Sequence, residues 1–459
     1  MQKIAFYGAA ETVTGSRHLI TVGSHKILVD CGLFQGDREL RERNWLDFPI
    51  PPHEIDAMVV THAHLDHIGW IPRLVQKGFR GPIYATPATI ALTRVSLLDS
   101  AHIQEEDAKH ANKHGTRHNP ALPLYTMDDV PPCLRLMQSV HYEVDHSLPG
   151  GANFRFVPAG HILGSAMAKI TLPNGELLLM SGDLGRYNTP IIRDPAVVTH
   201  ADYLVIESTY GNRVHSHEDV IGKLETILNE AYENKSVVLV PSFSIGRTQE
   251  LLYYVKKIQE AGKMPKMRVY VDSPMAISVT EMYRTCKEEM DDDMLISLKE
   301  GNSELEPDGV FYTRDSQDSR ALNTQGGPMM IIAGSGMANG GRIVHHLLHH
   351  LSDPSTIVLF TGYQAEGTMG RRLLDGSPTV RILGQELNVR ARIDRLNALS
   401  AHADQVEILK WLDGFEAPPK RTFIVHGEPD AQAALQDKIR TEKGWDTVIP
   451  KQAQEFQLP

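Results

Sequence analysis

The chain has 459 residues, 41% of them hydrophobic and 22% charged, with a formal net charge of −11 and a mean hydropathy of −0.26. These values describe an ordinary globular protein long enough for two or three domains, and they exclude nucleic-acid binding by bulk basicity while leaving room for a local basic groove. Three widely separated cysteines (Cys31, Cys133, Cys286) exclude a disulfide scaffold and a thiolate zinc site; with no recognisable signal peptide or bilayer-length apolar run, we expect a cytoplasmic protein with no membrane association.

Residues 3–7, 17–22 and 26–30 read as short strands separated by Gly8, Gly15 and Gly23, an opening β-meander. The third runs into Asp30-Cys31-Gly32, where the carboxylate can orient ligand histidines from behind or close an Asx turn. Ala57-Met58-Val59-Val60 reads as a buried strand, and it opens onto Thr61-His62-Ala63-His64-Leu65-Asp66-His67, an H-x-H-x-D-H pattern. His62 and His64, two apart in extended chain, can point to one side, and Asp66 and His67 follow as the chain turns. An imidazole pair plus a carboxylate–imidazole pair exceeds the three protein ligands that one open tetrahedral site takes, so the spacing points to two metal ions side by side.

Residues 88–118 read as a helix carrying His102, His110, His114 and His118. The charged residues among them favour a solvated or groove-lining face over a metal site. A strand at 154–157 leads into the glycine-flanked loop Gly160-His161-Ile162-Leu163-Gly164, and another strand follows at 167–172. After a Pro-Asn-Gly turn at 173–175, Leu177-Leu178-Leu179-Met180 ends in Ser181-Gly182-Asp183. His161 and Asp183 supply what two ions beside residues 62–67 still lack, a third imidazole and a bridging carboxylate.

Asp30, His62, His64, Asp66, His67, His161 and Asp183, in this order and each at a strand end, resemble the motifs of the metallo-β-lactamase superfamily. The resemblance implies an αββα sandwich with a dinuclear site along one edge. Glu207 in Glu207-Ser208-Thr209-Tyr210-Gly211, His402 in Ser400-Ala401-His402-Ala403-Asp404 and His426 in Val425-His426-Gly427-Glu428 are similar to motifs A, B and C of the β-CASP nucleases. Pro241-Ser242-Phe243-Ser244-Ile245-Gly246-Arg247, Asp272-Ser273-Pro274-Met275 and Gly334-Ser335-Gly336-Met337 resemble the same family. The likeness covers essentially the whole chain and points to bacterial and archaeal ribonucleases related to the cleavage nuclease of mRNA 3′-end processing.

Independently of that likeness, residues 208–394 alternate strands (237–240, 268–271, 329–333, 356–360) with helices, so we expect a parallel α/β sheet. Val220, Leu224, Ile227, Leu228 and Ala231 fall on one helical face. Such sheets bind ligands at the carboxyl ends of their strands, where turn and helix-start N–H groups suit phosphate. The candidate phosphate contacts are Ser242, Arg247, Ser335, Gly336, Arg342, Arg371 and Ser400. Arginine brings a bidentate fork to phosphate oxygens, the alternative being ordinary surface arginine paired with nearby acids. The His345-His346…His349-His350 run reads as a surface helix. The expected division is a metallo-β-lactamase domain at 1–207, a β-CASP insertion at 208–394 and a return segment at 395–459, with the substrate cleft between the domains.

The resemblance implies that one ion takes His62, His64 and His161 and the other Asp66, His67 and His426, with Asp183 bridging. Two zinc ions per chain are expected, and similar N/O sites also accept manganese or iron. Catalytic roles fall to His402 as general acid, Glu207 as its orienting partner, and Asp66 and Asp30. The implied reaction is hydrolysis of RNA phosphodiester bonds by a metal-activated hydroxide, leaving a 5′-phosphate and a 3′-hydroxyl. His426 at motif C favours RNA over DNA. Ala398 stands where the 5′-exonucleolytic relatives carry a histidine, which favours an endonuclease over a 5′–3′ exoribonuclease. A small-molecule (thio)ester metallo-hydrolase would share the metal site without using Glu207, His402 or the inserted domain, and a non-catalytic RNA-processing scaffold would lack ligands. RNA is the expected partner, and a homodimer is left open.

Overall fold

The structure is a computed structural model that describes all residues except Met1, 116–119, His217 and 300–304; side chains at His114 and 297–299 are also outside it. His118, placed on a helix by its spacing, therefore lies outside the described residues, and the helix itself runs Pro87–His114. The chain forms two compact units, Met1–Val214 with His402–Pro459, and His215–Ala401.

The first unit holds two seven-stranded sheets. In one, Gln2–Phe6, His18–Val22 and His25–Val29 form an antiparallel meander, and Ala57–Val59, Ile83–Ala85 and Met137–Ser139 continue it in parallel. Parallel neighbours need a crossover, and the helices Ile71–Gln76 and Pro87–His114 lie in those connections. The C-terminal strand Gln454–Gln457 returns to pair with Gln2–Phe6. In the other sheet, Asn153–Pro158, Ala166–Thr171 and Leu177–Met180 are antiparallel, and Tyr203–Ile206 and Arg421–Ile424 join in parallel. Alternate residues of both sheets, among them Ile4, Ile20, Val29, Phe154, Ile170, Val205 and Phe423, form one core between them. The opposite face of the second sheet, with Leu179, Leu204 and Ile206, is covered by Ile408, Trp411, Leu435 and Ile439 from the helices Gln405–Leu412 and Pro429–Lys443. This is the αββα sandwich.

The second unit is built on a six-stranded sheet whose pairings are all parallel. Its strands are apolar on both faces: Val238, Val240, Met330 and Ile332 enter one core, and Val237, Leu239, Met329 and Ile331 the other. The helix Val220–Glu233 buries Val220, Leu224, Ile227, Leu228 and Ala231, the face read from the periodicity. The break falls at 214/215 rather than 207/208 because Ser208 N bonds His426 O at 3.1 Å and Gln405 N bonds Arg213 O at 3.0 Å, tying that stretch to the first unit. It falls at 401/402 rather than 394/395 because Leu396 N bonds Phe360 O at 2.8 Å and Leu396 and Leu399 sit in the second unit's core. Among the described residues, no helix is long and apolar enough to cross a membrane.

Candidate metal centre

Strand ends of the first unit converge on one cluster. His62, His64, His161 and Asp183 form one group able to hold a metal ion, and Asp66, His67 and His426 a second. In the first group, His64 Nδ1 stands 3.2 Å from His62 Nε2 and 3.1 Å from His161 Nε2. In the second, His426 Nε2 is 3.2 Å from His67 Nε2 and 3.3 Å from Asp66 Oδ2. Asp183 lies between the groups: its oxygens are 3.2 Å from His67, 3.3 Å from His62, 3.5 Å from His161 and 3.6 Å from His426. Neither oxygen has a well-formed hydrogen bond among the described residues, although both are buried. A buried carboxylate without a well-formed hydrogen bond, ringed by imidazole nitrogens, is the donor set a cation satisfies.

The loops are held by close backbone approach and by hydroxyls. Asp30, left-handed at φ 60°, accepts from Thr61 N and Thr61 Oγ1 at 2.8 Å, and its Oδ2 meets His67 Nδ1 at 2.8 Å. It thus supports His67 from behind. Gly32 lies so close to the 65–67 turn that a Cβ there would sit 1.6 Å from Asp66 O. Ser165 Oγ accepts from His161 N at 2.9 Å, and Thr86 and Thr89 both donate to Gly164 O at 2.8 Å, fastening the His161 loop to the start of the helix Pro87–His114.

His402 lies over His161, ring centroids 4.4 Å apart, with Nδ1 3.1 Å from Glu207 Oε1. Glu207 is fully buried; Oε1 also accepts from Leu184 N at 2.8 Å, and Oε2 from Thr209 N at 3.1 Å.

Burial lowers every imidazole of the cluster, and the nearby carboxylates divide them into two classes. Burial and the neighbouring His62 push His64 down to about 3. Burial with His402 holds His161 well below its ordinary value, and burial with His67 lowers His62. These three are neutral, the form that ligates metal. His67 goes the other way: burial opposes the charge, but Asp183 and Asp30 raise it well above its ordinary value. His426 is likewise raised against burial by Asp183 and Asp66. His402 is pushed up to about 9, Glu207 outweighing burial together with Asp183 and Asp66. The carboxylates of Asp183 and Asp66 are held low despite burial, Asp183 by His426, His67 and His62 and Asp66 by His426 and His67.

Residues 19–182 match the metallo-beta-lactamase superfamily domain, 248–373 the Beta-Casp domain, and 386–450 the Zn-dependent metallo-hydrolase RNA specificity domain. A protein of Thermus thermophilus named a ribonuclease is 37% identical over 94% of this chain and 95% of its own length. The chain belongs to the β-CASP family of metallo-β-lactamase-fold ribonucleases. A protein of Methanosarcina mazei named transcription termination factor FttA is 28% identical over 95% of the chain and 68% of its own length. A crystal structure titled as a protein of unknown function from Enterococcus faecalis V583 shares the fold at TM-score 0.54 and 12% identity, covering 100% of both chains.

The β-CASP unit holds the residues singled out for phosphate, and most of their polar groups already have protein partners. Ser242 Oγ is 3.0 Å from Thr248 Oγ1, and Arg247 Nη1 is 2.9 Å from Glu250. Arg342 gives Nη1 to Asp272 Oδ1 at 2.6 Å and to Thr313 O at 2.9 Å, and Nη2 to Arg314 O at 2.6 Å. Arg371 pairs with Asp375 one helical turn on, at 2.9 Å. Each arginine therefore shows the acid pairing that was the alternative to phosphate contact. Ser335 Oγ is buried with no hydrogen-bond partner among the described residues, and a Cβ on Gly336 would meet the Phe243 ring at 2.6 Å. Ser400 belongs to this second unit, two residues before His402 in the chain. The expectation of a surface helix at His345–His350 is corrected for half of it. His346 and His350 are buried on the face of Ile343 and Leu347, and His346 Nε2 meets Asp272 Oδ2 at 2.7 Å. Composition alone missed this because the carboxylate that receives His346 lies 74 residues earlier.

Sequence reasoning also passed over the hydroxyls that hold the centre, Thr61, Thr86, Thr89, Ser165 and Thr209. The one signal available was Thr86-Pro87, an N-cap threonine before a first-turn proline.

Proposed function

We propose that the protein is a two-metal ribonuclease that cuts RNA internally and leaves a 5′-phosphate and a 3′-hydroxyl. The observation that carries this reading is Asp183, a buried carboxylate without a well-formed hydrogen bond that lies between two groups of imidazoles able to hold a metal ion, with His402 beside it. His62, His64 and His161 would hold one divalent ion and Asp66, His67 and His426 the other, with Asp183 shared. Two zinc ions fit these ligands, and manganese or iron suits the same atoms. Ions so held supply Lewis acidity and a nucleophile at neutral pH.

The chain's own residues do the rest. Glu207 holds the Nδ1 proton of His402 and favours its charged form, so Nε2–H is the proton available to a departing 3′-oxygen. Asp30 fixes the ring of His67, and with it the tautomer that turns Nε2 to the cluster. Among the phosphate contacts, Ser335 and Gly336 in a strand-end turn suit a backbone phosphate best. The name of the Thermus relative supports RNA as substrate, as does histidine at position 426. Ala398 supports internal cleavage.

The test compares 5′-capped with 5′-monophosphate RNA, using metal-loaded wild type and His402→Ala. We expect internal cleavage of both RNAs and a loss of roughly 10²–10⁴-fold in the variant at unchanged metal content. A metal-loaded wild type that leaves both RNAs intact would overturn the reading in favour of a small-molecule hydrolase.

A further inference from the structure

Tyr203–Ile206 and Arg421–Ile424 run side by side in parallel, so the residues that follow each strand leave the sheet together. Ser208 N bonds His426 O at 3.1 Å, Ser208 Oγ donates to Val425 O at 2.7 Å, and His426 N bonds Ala9 O at 2.8 Å. These bonds hold His426 at φ 51°, a left-handed backbone that non-glycine residues seldom adopt. With the backbone pinned, what remains to be decided is which ring nitrogen carries the proton. Thr209 Oγ1 lies 3.1 Å from His426 Nδ1 and donates to His426 O at 3.3 Å. A hydroxyl has one proton to give. Given to the carbonyl, it leaves Oγ1 as an acceptor, and Nδ1 must then be the donor. The nearest carboxylate oxygen to Nδ1, Asp183 Oδ1 at 3.6 Å, is beyond hydrogen-bond reach. On the far side of the ring, Nε2 faces His67 Nε2 at 3.2 Å and Asp66 Oδ2 at 3.3 Å.

We propose that Thr209 is a positioning residue that sets the tautomer of His426, keeping the proton on Nδ1 so that the Nε2 lone pair points into the Asp66–His67 group. This rests on the metal-centre reading above. The same residue donates its backbone N–H to Glu207 Oε2, and Glu207 Oε1 holds His402. Thr209 thereby fastens the supports of the second metal group and of the general acid to each other. Neither role touches substrate, and neither was visible in the motif: a threonine on a strand-end turn has many local uses, and its partner lies 217 residues away.

The test uses the full chain. Thr209→Val keeps the shape and removes the hydroxyl, whereas Thr209→Ser keeps the hydroxyl. Zinc binding to the metal-free proteins is measured against a chromophoric chelator. We expect Thr209→Val to weaken one of the two ions by roughly 10–100-fold, the usual effect of losing a partner that orients a ligand, with Thr209→Ser binding like wild type. Equal binding by wild type and Thr209→Val, or an equal loss in both variants, overturns the proposal and leaves the metal reading standing. A wild type that takes up no zinc overturns both. Should Thr209→Val fail to fold, nitrogen-15 NMR of zinc-loaded wild type decides. A proton on His426 Nδ1 supports the proposal, and a proton on Nε2 overturns it.

Discussion

Glu207→Gln removes one charge at nearly constant volume from a site where the charge has a defined task. The carboxylate is fully buried and touches His402 Nδ1 at 3.1 Å, Leu184 N at 2.8 Å and Thr209 N at 3.1 Å. Burial alone would lower His402; Glu207, by charge and hydrogen bond, helps to lift it to about 9. A hydrogen bond to a charged group is worth about 1.5–3 kcal/mol against about 0.5–1.5 for a neutral one. The difference, about 1–2 kcal/mol, corresponds to a titration midpoint roughly one pH unit lower in the metal-free variant. Linkage fixes the sign. A histidine at about 9 when folded, against 6.5 when unfolded, contributes stability that is fully present below pH 6.5 and lost as pH rises through 9. That contribution is bounded at about 3 kcal/mol, and the amide should remove roughly a third to a half of it. The amide also leaves a backbone N–H facing a donor, a loss of about 1–3 kcal/mol that does not vary with pH. The two effects therefore separate in urea unfolding of metal-free protein at pH 6 and pH 9. Wild type should lose more stability between these values than Glu207→Gln, and His402 should titrate lower in the variant by NMR. An unchanged His402 midpoint would refute the reasoning.

Asp183→Asn should lower bound metal after dialysis by at least about tenfold, read by mass spectrometry, because an amide is a poorer ligand than a carboxylate facing both groups. Full metal occupancy would remove Asp183 from the centre. Because His67 and His426 are raised and so carry protons that an ion must displace, the gain in Tm on adding zinc to metal-free protein should grow from pH 6 to pH 8. The same proton on His67 gives the metal-free fold stability that is fully present below pH 6.5 and is lost as pH rises through the raised folded value, the same displacement seen from the metal-free side; a gain flat with pH would contradict the assignment. Gly32→Ala places a Cβ 1.6 Å from Asp66 O and 2.7 Å from His67 N, so the ligand turn must move. We expect a loss of about 1–3 kcal/mol in chemical unfolding together with weaker metal binding. Wild-type affinity in that variant would show that the turn tolerates displacement.

What was legible in the sequence was what is local. His62 to His67 are read from spacing because the candidate ligands follow one another at the end of a single strand, and the face of Val220, Leu224 and Ile227 is read because a helix repeats. The link from Glu207 to His402 spans 195 residues and was visible only through the family likeness. Apart from the N-cap Thr86, hydroxyl supports were invisible because a threonine in a turn carries no mark of its partner. His346 was misjudged for a related reason. It meets Asp272, whose carboxylate also accepts from Arg342 and from Ser319 at 2.6 Å, and a buried acid far back in the chain turns a histidine that looks exposed into an internal one. The strand Gln454–Gln457 escaped notice because its polar residues pair at a sheet edge, without an apolar alternation.

The charges at the centre lead to a last expectation, that the fold outlasts its metal. Asp30, Asp66, Asp183 and Glu207 crowd one region, and His67, His402 and His426 are all raised there. Without ions, protons on these three imidazoles offset much of the buried negative charge; with ions bound, the protons on His67 and His426 are displaced. The cores described between the two sheets and beneath the helices Gln405–Leu412 and Pro429–Lys443 are closed by apolar side chains alone, so their burial needs no bound ion. Protein treated with a chelator at pH 6 should therefore keep its near-ultraviolet circular dichroism and a cooperative melting transition while losing nuclease activity, and added zinc should restore it. Loss of the cooperative transition on chelation would mean that the ions hold the sandwich together as well as serving the reaction.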